Sequence, residues 1–503
     1  MLAERKHHPD ILEVISDLSS DEKPTPPGVA NALLDLLPEE VWEDPSLRWL
    51  DPGCKTGVFL REAAKRLMKS EGMRAAFPDD QARLDHILNN MLYGIAITEL
   101  TSLMSRRTLY CSKDATSVKS ASELPSSAGN IWFHRTEHSF AGKRCHECGA
   151  VKDQIERENR ENYAYAFIHE GGRKAVRKDM DMKFDVIVGN PPYHMTDGGA
   201  GASASPIYQE FIQQAIELDP RYVVMVVPSR WFTGGKGLGD FRSQMLSDRR
   251  VRAIVDYQDA RALFPTINLN GGVNYFLWDR DHDGPCTVTS IHKSGRTSTM
   301  TRELSDHGVF IRLNEAVPIL EKVLAQTDKT SFERWVSSRK PFGFPTDYRG
   351  VQRKPSSGPV VLYENGGTAW VKSSNIGVNS EWVDQWKVLI PRATDGNENY
   401  PLPVLTEPII AEPGTACTET YLVIGPFSSK RKAENAAAYM KTRFFRFLLS
   451  LRKHTQDNSR EKFSFIPDLD MTRTWTDEDL YELYGITEDE QAFIAEQIRG
   501  WGT

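Results

Sequence analysis

Cysteine is scarce in this chain of 503 residues, which contains only six, scattered along its length. This scarcity argues against a disulfide framework and indicates a reducing compartment. No apolar run reaches the length of a membrane span, and no signal peptide precedes the first expected helix. Neither sign of charge dominates, because 62 Lys and Arg stand against 69 Asp and Glu. The composition predicts a cytoplasmic protein that is not a simple polycation.

The most informative stretch is residues 184–193, which read FDVIVGNPPY. Residues 185–189 have the apolar character of a short buried strand, and the two prolines that follow stop it. Pro191 also moves Asn190 out of the α region. Asn190 is therefore expected at the carboxyl end of a core strand, the edge where open α/β sheets bind ligands.

The chemistry available at this turn suits an amino group on an aromatic ring. The side-chain oxygen of Asn190 and the carbonyl of Pro191 can both accept hydrogen bonds from such an –NH2. Two acceptors free the nitrogen lone pair for attack, while Tyr193 offers a face on which the ring stacks. This is electrostatic preorganisation and positioning without a strong base. The alternative is an ordinary proline turn that closes a buried strand.

Residues 185–193 resemble motif IV of the amino-methyltransferases, which use S-adenosylmethionine to methylate exocyclic amino groups. The sequence Asn190-Pro191-Pro192-Tyr193 is similar to the form found in adenine-N6 DNA enzymes, whereas cytosine-N4 enzymes more often carry Ser at the first position. Other members with this tetrapeptide modify glutamine in proteins or guanine in RNA. The resemblance implies that all four residues form the catalytic turn.

Two upstream segments resemble the cofactor motifs of the same family. Thr25 and Pro26 stand just before a predicted helix and resemble motif X, which helps to hold the methionine end of the cofactor. The strand and glycine turn at 48–60 resemble motif I. There Asp51 can accept from a cationic amino group, and Gly53 and Gly57 permit close approach to a ligand. Asn190 is expected to border the same cofactor.

The cofactor motifs also depart from the family pattern. Cys54 and Lys55 replace an aromatic residue and a further glycine, and Ala96 stands where an acidic residue holds the ribose hydroxyls. Glu99, on the next helical turn, is the substitute that we expect, although it can also simply complement the helix dipole. For the adenine end, Glu170 is the candidate after a third strand predicted at 163–169, and Asp114 is its rival.

A zinc site is predicted between the second and third of these strands. Cys145 and Cys148 have the spacing of a zinc knuckle, and a glycine follows that allows the bend. Cys111 and His138 complete the predicted set, and His138 is preferred to His134 because it is nearer to the knuckle. With four protein ligands the metal would be structural. The alternative is three ordinary reduced cysteines and surface histidines.

Strands that alternate with helices predict an α/β fold with a doubly wound, Rossmann-like sheet. Because the chain is too long for one core, we expect several domains. The predicted divisions are a methyltransferase domain at 1–110 and 163–282, a zinc-binding insertion at 111–162, and a mixed α+β target-recognition domain at 283–503. The last of these ends in a helical tail.

A basic segment at 430–462 indicates where DNA binds. Ten Lys and Arg face three acidic residues there, and residues 443–447 suggest a helix with one apolar and one basic face. Such a face suits a phosphate backbone, although an ordinary solvated helix has the same pattern.

The order of the motifs resembles the gamma class of adenine-N6 DNA methyltransferases from restriction–modification systems. The resemblance implies methylation of a flipped-out adenine in double-stranded DNA by a prokaryotic or phage-encoded enzyme, with a separate nuclease or defence subunit as a further partner. Alternatives are a cytosine-N4 enzyme, a glutamine or RNA methyltransferase, and a catalytically impaired recognition subunit of a defence system.

Overall fold

The computed structural model describes residues 25–152, 164–179, 182–193, 206–234, 237–265, 269, 271–327, 330–393, 400–453 and 457–502. The chain divides into two compact units, with the boundary between Phe310 and Ile311. This boundary lies later than the predicted one at 282, because two further strands continue the sheet of unit 1. Across the described residues, no helix is both long and apolar enough to cross a membrane.

One large sheet organises unit 1. Its described strands are β1 Trp49–Cys54, β2 Leu92–Ala96, β3 Ile131–Trp132, β6 Val186–Gly189, β7 Tyr222–Pro228, β8 Val251–Tyr257, β9 Val273–Asp279, β10 Cys286–Ile291 and β11 Thr297–Arg302. Their order is β11-β10-β8-β9-β7-β6-β1-β2-β3. Strands β3, β2, β1, β6 and β7 are parallel, and so are β8 and β10, whereas β9 runs antiparallel to β7 and β8. The predicted α/β class with a largely parallel sheet is confirmed.

Helices cover both faces of the sheet. The α-helices of unit 1 are α1 Pro27–Leu34, α2 Glu40–Glu43, α3 Val58–Leu67, α4 Glu71–Ala76, α5 Asp80–His86, α6 Glu99–Tyr110, α7 Glu170–Asp179, α8 Tyr208–Glu217 and α9 Gly239–Ser247, with a π-helix at Ile87–Met91. Alternate residues of β6 enter different cores: Val186 and Val188 pack with α1 and α3, and Ile187 packs with α8. This alternation is the reason for the continuous apolar run in β6.

The third strand lies elsewhere than predicted. Residues 164–169 form a turn, with one isolated bridge from Ala164 to Thr136, and residue 163 lies outside the described residues. The sheet is instead extended by Ile131–Trp132, which pairs with β2 inside the predicted insertion. The aromatic residues at 165 and 167 pack against Phe211 of α8. The short apolar run therefore correctly indicated that these residues are buried, but it did not indicate whether they pair as a strand.

Unit 2 is a mixed α+β unit built on two small sheets. One consists of β12 Pro359–Glu364, β13 Gly367–Lys372 and β16 Thr415–Cys417, and the other of β14 Trp386–Pro391, β15 Ile409–Ala411 and β17 Tyr421–Phe427. Its α-helices are α10 Ala316–Gln326, α11 Lys430–Lys441, α12 Arg443–Arg452, α13 Asp477–Tyr484 and α14 Glu488–Gln497. Both sheets contribute to one apolar cluster, which includes Leu362 and Leu389.

Short elements complete the two units. A separate hairpin of unit 1 is formed by β4 Phe140–Ala141 and β5 Arg144–Cys145. The described 3-10 helices are Ser229–Phe232, Ala260–Ala262, Phe332–Trp335, Ser373–Asn375, Ser380–Trp382 and Arg460–Phe463.

The predicted basic face of the 443–447 helix is wrong. Arg446 is buried between Phe445 and Phe447, where its guanidinium donates to the carbonyl oxygens of Thr442 and Pro403. It also lies 5.1 Å from the ring centroid of Trp501. This arginine satisfies backbone acceptors inside unit 2 and is not available to a phosphate.

Candidate active site

The catalytic turn predicted from the sequence lies at the carboxyl end of β6. Asn190 is buried directly after Gly189, and the two prolines that follow are buried as well. The Asn190 amide nitrogen donates to the hydroxyl of Thr25 at 3.0 Å. The amide oxygen Oδ1 is buried and has no hydrogen-bond partner among the described residues. Because buried acceptors are normally satisfied, this oxygen is available to a donor on a ligand.

Thr25 determines which way the Asn190 amide faces. The two residues are 165 positions apart in sequence, and Thr25 is itself buried just before α1. The Thr25 hydroxyl takes the –NH2 side of the amide and leaves its oxygen facing the site. The structure therefore joins the motif X segment, with Pro26 at the N-cap of α1, to the catalytic turn.

Tyr193 closes the turn. Its hydroxyl is buried without a described partner, and burial raises the pKa of the phenol above its ordinary value. Its backbone carbonyl accepts from the N–H of Ile207 at 3.2 Å, just ahead of α8. The Tyr193 backbone is therefore tied to the start of this helix.

Asp51 lies within β1, directly after the two residues that pair with β6. The residue is only 3% exposed, and its carboxyl accepts from the Gly53 N–H at 3.1 Å. Burial raises its pKa to about 7, against the opposing effects of this hydrogen bond and of the Lys55 ammonium. A Cβ at Gly189 would lie 3.2 Å from Asp51 Oδ1, so glycine there lets β6 approach the carboxyl. A cationic amine would compensate the buried charge.

The loop after β1 is shaped by Gly57 and supported by Ser105. Gly57 has φ of +74°, and a Cβ there would also lie 3.2 Å from the Cα of Ser105. Ser105, buried on α6, donates to the carbonyl of Lys55 at 3.1 Å and contacts the Cys54 thiol at the same distance. Nothing in the sequence pattern singled out Ser105, because a serine inside a helix has no signature of its own.

A narrow cavity joins the two motifs. Its lining consists of Thr25, Asp51, Gly53, Lys55, Thr56, Gly57, Val58, Phe59 and Asn190. It combines a buried carboxyl, a free amide oxygen and the N-terminal end of α3, the features that suit a ligand with a cationic amine and a carboxylate. Five of the lining residues are ones that the sequence predicted, and Lys55, Thr56, Val58 and Phe59 are additional.

The acidic residues predicted for the ribose and adenine ends of the cofactor are not among those that line the cavity. Glu99 is exposed on the first turn of α6. Glu170 pairs with Lys174 at 2.6 Å, and its backbone N–H donates to the Glu147 carboxylate. Asp114 is partly exposed and accepts from the backbone N–H and hydroxyl of Thr116. The expectation for Glu170 depended on a strand at 163–169, and the structure has a turn at residues 164–169.

A second cluster belongs to the apolar core that contains Leu50 of β1 and Tyr93 of β2. His138, Cys145 and Cys148, all predicted metal ligands, meet there with His169. Cys111 is not in the group, because it ends α6 as an exposed residue with φ of +60°. Burial lowers the pKa of His138 to about 4 and raises that of Cys148 to about 12. His169 was missed because the predicted strand assigned it no ligand role.

Residues 90–264 match the family model described as Eco57I restriction-modification methylase. A protein of Mycoplasma pneumoniae described as an uncharacterized adenine-specific methylase is 34% identical over 329 residues. The matched region is 60% of this chain and 77% of that protein.

Two solved structures are similar to this chain at low identity. The DrdV–DNA complex is similar with a TM-score of 0.46 and 11% identity, over 95% of this chain and 57% of that chain. A nuclease-deletion mutant of the Type ISP restriction-modification enzyme LlaGI with a DNA substrate mimic has a TM-score of 0.48 and 9% identity. That match covers 95% of this chain and 47% of that one, so the chain spans about half the length of these two solved chains.

Proposed function

The chain belongs to the adenine-specific methylases of the restriction–modification type, and from this membership we propose that it methylates the N6 amino group of a flipped-out adenine in double-stranded DNA. The observation that carries the proposal is the buried Oδ1 of Asn190, an acceptor without a described partner at the edge of the sheet. An exocyclic amino group supplies the missing donor. The base must leave the duplex because its amino group cannot otherwise enter a buried site.

The residues that line the cavity fit S-adenosylmethionine. Asp51 would accept from its cationic amino group, Lys55 would offer positive charge to its carboxylate, and the turn that contains Gly53 and Gly57 would border it at the N-terminal end of α3. When bound, this cofactor supplies an electrophilic methyl group on a positively charged sulfur.

The chain's own residues perform the rest of the reaction. Asn190 Oδ1 and the Pro191 carbonyl accept from the two N6 hydrogens, which draws the amino group away from conjugation with the ring. Thr25 holds the amide in the orientation that this step needs. Tyr193 stacks on the adenine and fixes its angle. No strong base is required, because the proton leaves after the nitrogen has gained its methyl group.

Exchanging Tyr193 separates its ring from its hydroxyl. We expect Tyr193→Ala to lower kcat/KM for DNA by about 10- to 100-fold, because base–aromatic stacking contributes about 1–3 kcal/mol. Tyr193→Phe should retain most activity, since the hydroxyl has no described partner. Steady-state methylation of one duplex substrate by the three proteins measures both effects. A Phe variant as impaired as the Ala variant would contradict the stacking role.

DNA binding is proposed for a different surface of unit 2 from the one that the sequence indicated. Residues 339–372 carry six basic residues (Arg339, Lys340, Arg349, Arg353, Lys354 and Lys372) against only Asp347 and Glu364. All six basic side chains are exposed, whereas Glu364 is buried and accepts from the Gly350 N–H. A net positive, exposed strip beside β12 and β13 suits a phosphate backbone. We name it the β12–β13 strip.

Charge reversal distinguishes the two surfaces. Arg353→Glu with Lys354→Glu should weaken DNA binding about tenfold and make the slope of log K against log salt shallower by about two. The matched control is Lys430→Glu with Arg431→Glu, an adjacent exposed pair in the segment that the sequence favoured. Titration of a fluorescent duplex at several salt concentrations provides the measurement. A larger loss in the control than in the first variant would contradict the assignment to the β12–β13 strip.

Expression in a methylation-deficient bacterial host tests the proposed activity in cells. Single-molecule sequencing of the host DNA should show N6-methyladenine at one short recurring sequence, and none when Asn190→Ala is expressed. We also propose that a nuclease or defence subunit of the same system recognises that sequence. Unmodified DNA from a host that contains the intact folded chain would contradict the proposal.

We further propose that the chain holds a structural zinc ion, away from the reacting atoms, in its cluster of cysteines and histidines.

A further inference from the structure

Four side chains with metal-ligating atoms converge in unit 1. They are His138, Cys145, Cys148 and His169, and their ligand atoms all lie within 4.8 Å of one another. We infer that these four residues are the complete ligand set of the zinc ion, and that His169 takes the position predicted for Cys111. This ligand set does not depend on the proposed methyl transfer.

The distances match a tetrahedral centre. Cys148 Sγ lies 3.4 Å from His138 Nδ1, and Cys145 Sγ lies 3.7 Å from His169 Nε2. Zinc binds thiolate at about 2.3 Å and imidazole at about 2.0 Å, which puts neighbouring tetrahedral ligand atoms roughly 3.3–3.8 Å apart. Two thiolates with two imidazoles select zinc among common ions. Because four protein ligands leave no open position, the ion is structural.

The backbone already holds both thiols on one side of a tight turn. The Cys145 N–H donates to the Ala150 carbonyl at 2.8 Å, and the Gly149 N–H donates to the Cys145 carbonyl at 2.9 Å. Gly149 has φ of +73°, a conformation that favours glycine. Closing the turn in this way brings Cys145 and Cys148 together without any contribution from the metal.

His169 is oriented as a metal-ligating histidine. Its Nδ1 lies 2.9 Å from the Tyr165 carbonyl, so it donates there and leaves Nε2 to face Cys145. A backbone partner of this kind fixes the tautomer and the ring angle of a ligand. The ring is fully buried, and no carboxylate is needed to hold it. His134, by contrast, is exposed and outside the cluster.

The ion would connect two distant parts of the chain. His138, Cys145 and Cys148 belong to the region of the β4–β5 hairpin, whereas His169 ends the turn that precedes α7. Joining Cys145 and His169, which are 24 residues apart, through a metal restricts the unfolded chain and stabilises the packed turn.

The turn before α7 also supports α8. Tyr165 and Phe167 place their ring centroids 5.6 and 5.7 Å from that of Phe211 on α8. The start of α8 is tied to the Tyr193 carbonyl through the Ile207 N–H. The zinc therefore supports the stacking tyrosine from a distance and takes no part in the chemistry.

Metal analysis of the purified full-length chain and four variants tests the ligand set. We expect about one zinc per chain in the wild type, in Cys111→Ser and in His134→Ala, and less than about a tenth in His169→Ala and Cys148→Ser. Removing the ion with a chelator should lower the melting temperature by about 5 °C or more, reversibly on adding zinc.

If a ligand variant fails to fold, a measurement on the wild type still tests the ligand set. Replacing its zinc by cobalt(II) should give the visible bands and the thiolate charge-transfer absorption of a tetrahedral site with two sulfurs. Loss of zinc in Cys111→Ser, retention in His169→Ala, or a metal-free wild type with a Cys145–Cys148 disulfide would each overturn the inference. None of these measurements depends on methyl transfer. If the proposed methyl transfer proved wrong, the inferred ligand set would be unaffected.

Discussion

Asn190→Ala is expected to lower the rate of methyl transfer by about 10²- to 10³-fold, the effect of removing one preorganised hydrogen-bonding group from a buried reaction site. The substitution removes the buried Oδ1 acceptor that the described residues leave unpaired. The Pro191 carbonyl remains, so the amino group keeps one of its two proposed acceptors. Single-turnover transfer from labelled cofactor at saturating DNA measures the chemical step directly.

Two controls separate this chemical effect from loss of the fold or of the cofactor. Calorimetric titration should give a cofactor Kd within about tenfold of wild type, since Asn190 is one of several lining residues. Thr25→Val keeps the size of the side chain but removes the hydroxyl that accepts from the Asn190 amide at 3.0 Å. We expect Thr25→Val to lower the rate by about tenfold, because Asn190 Oδ1 is still present and only the orientation of the amide is freed. Asn190→Ala with a wild-type rate would contradict the role of the amide oxygen.

Asp51→Asn is expected to weaken cofactor binding by about 100-fold at pH 8, because the variant cannot offer a charged acceptor to a buried cationic amine. The same change should stabilise the chain without cofactor, since it removes a carboxyl that burial makes costly to ionise. Burial raises the pKa of this carboxyl from 3.8 to about 7. Glu62→Gln is a suitable control, because that carboxyl is also in unit 1 but does not line the cavity.

The sign of the pH effect follows from the raised pKa. The folded chain holds the Asp51 proton that the unfolded chain loses near pH 4, so wild-type stability falls as pH rises from about 4 to about 7. Asp51→Asn lacks this fall, and its advantage in melting temperature should be larger at pH 8 than at pH 5. Wild-type affinity for the cofactor should rise through pH 7 and stay flat in the variant. A constant difference in melting temperature between the two pH values would contradict an Asp51 that ionises in this range.

The catalytic turn was predictable because its chemistry is local. A buried strand followed by two prolines leaves few conformations for Asn190, and the sequence alone indicated its position at the strand end. What the sequence did not reveal is the partner that orients it. The Thr25–Asn190 hydrogen bond spans 165 residues, and only the fold brings these two side chains together. Ser105 supports the loop after β1 across 50 residues, with no local pattern to mark it.

The errors have a common physical cause, which is that burial and pairing are properties of the whole fold. The apolar run at 163–169 has the composition of a strand, yet Tyr165 and Phe167 pack on Phe211 from a turn, while the short strand Ile131–Trp132 extends the sheet. Cys111 has the thiol that a zinc site needs, but it lies at the C-terminal end of α6 as an exposed residue. Arg446 adds positive charge to a basic segment of the sequence, but in the fold its guanidinium donates to backbone carbonyl oxygens.

The measurement that tests the central claim most directly uses the purified chain, S-adenosylmethionine labelled in its methyl group, and unmethylated double-stranded DNA. After digestion to nucleosides, the label should be in N6-methyladenine. With Asn190→Ala, the rate at which this label appears should be about 10²- to 10³-fold lower. Label in N4-methylcytosine would contradict the adenine assignment and retain the chemistry of the turn. No label in any nucleoside, from protein that binds the cofactor, would contradict DNA as the substrate.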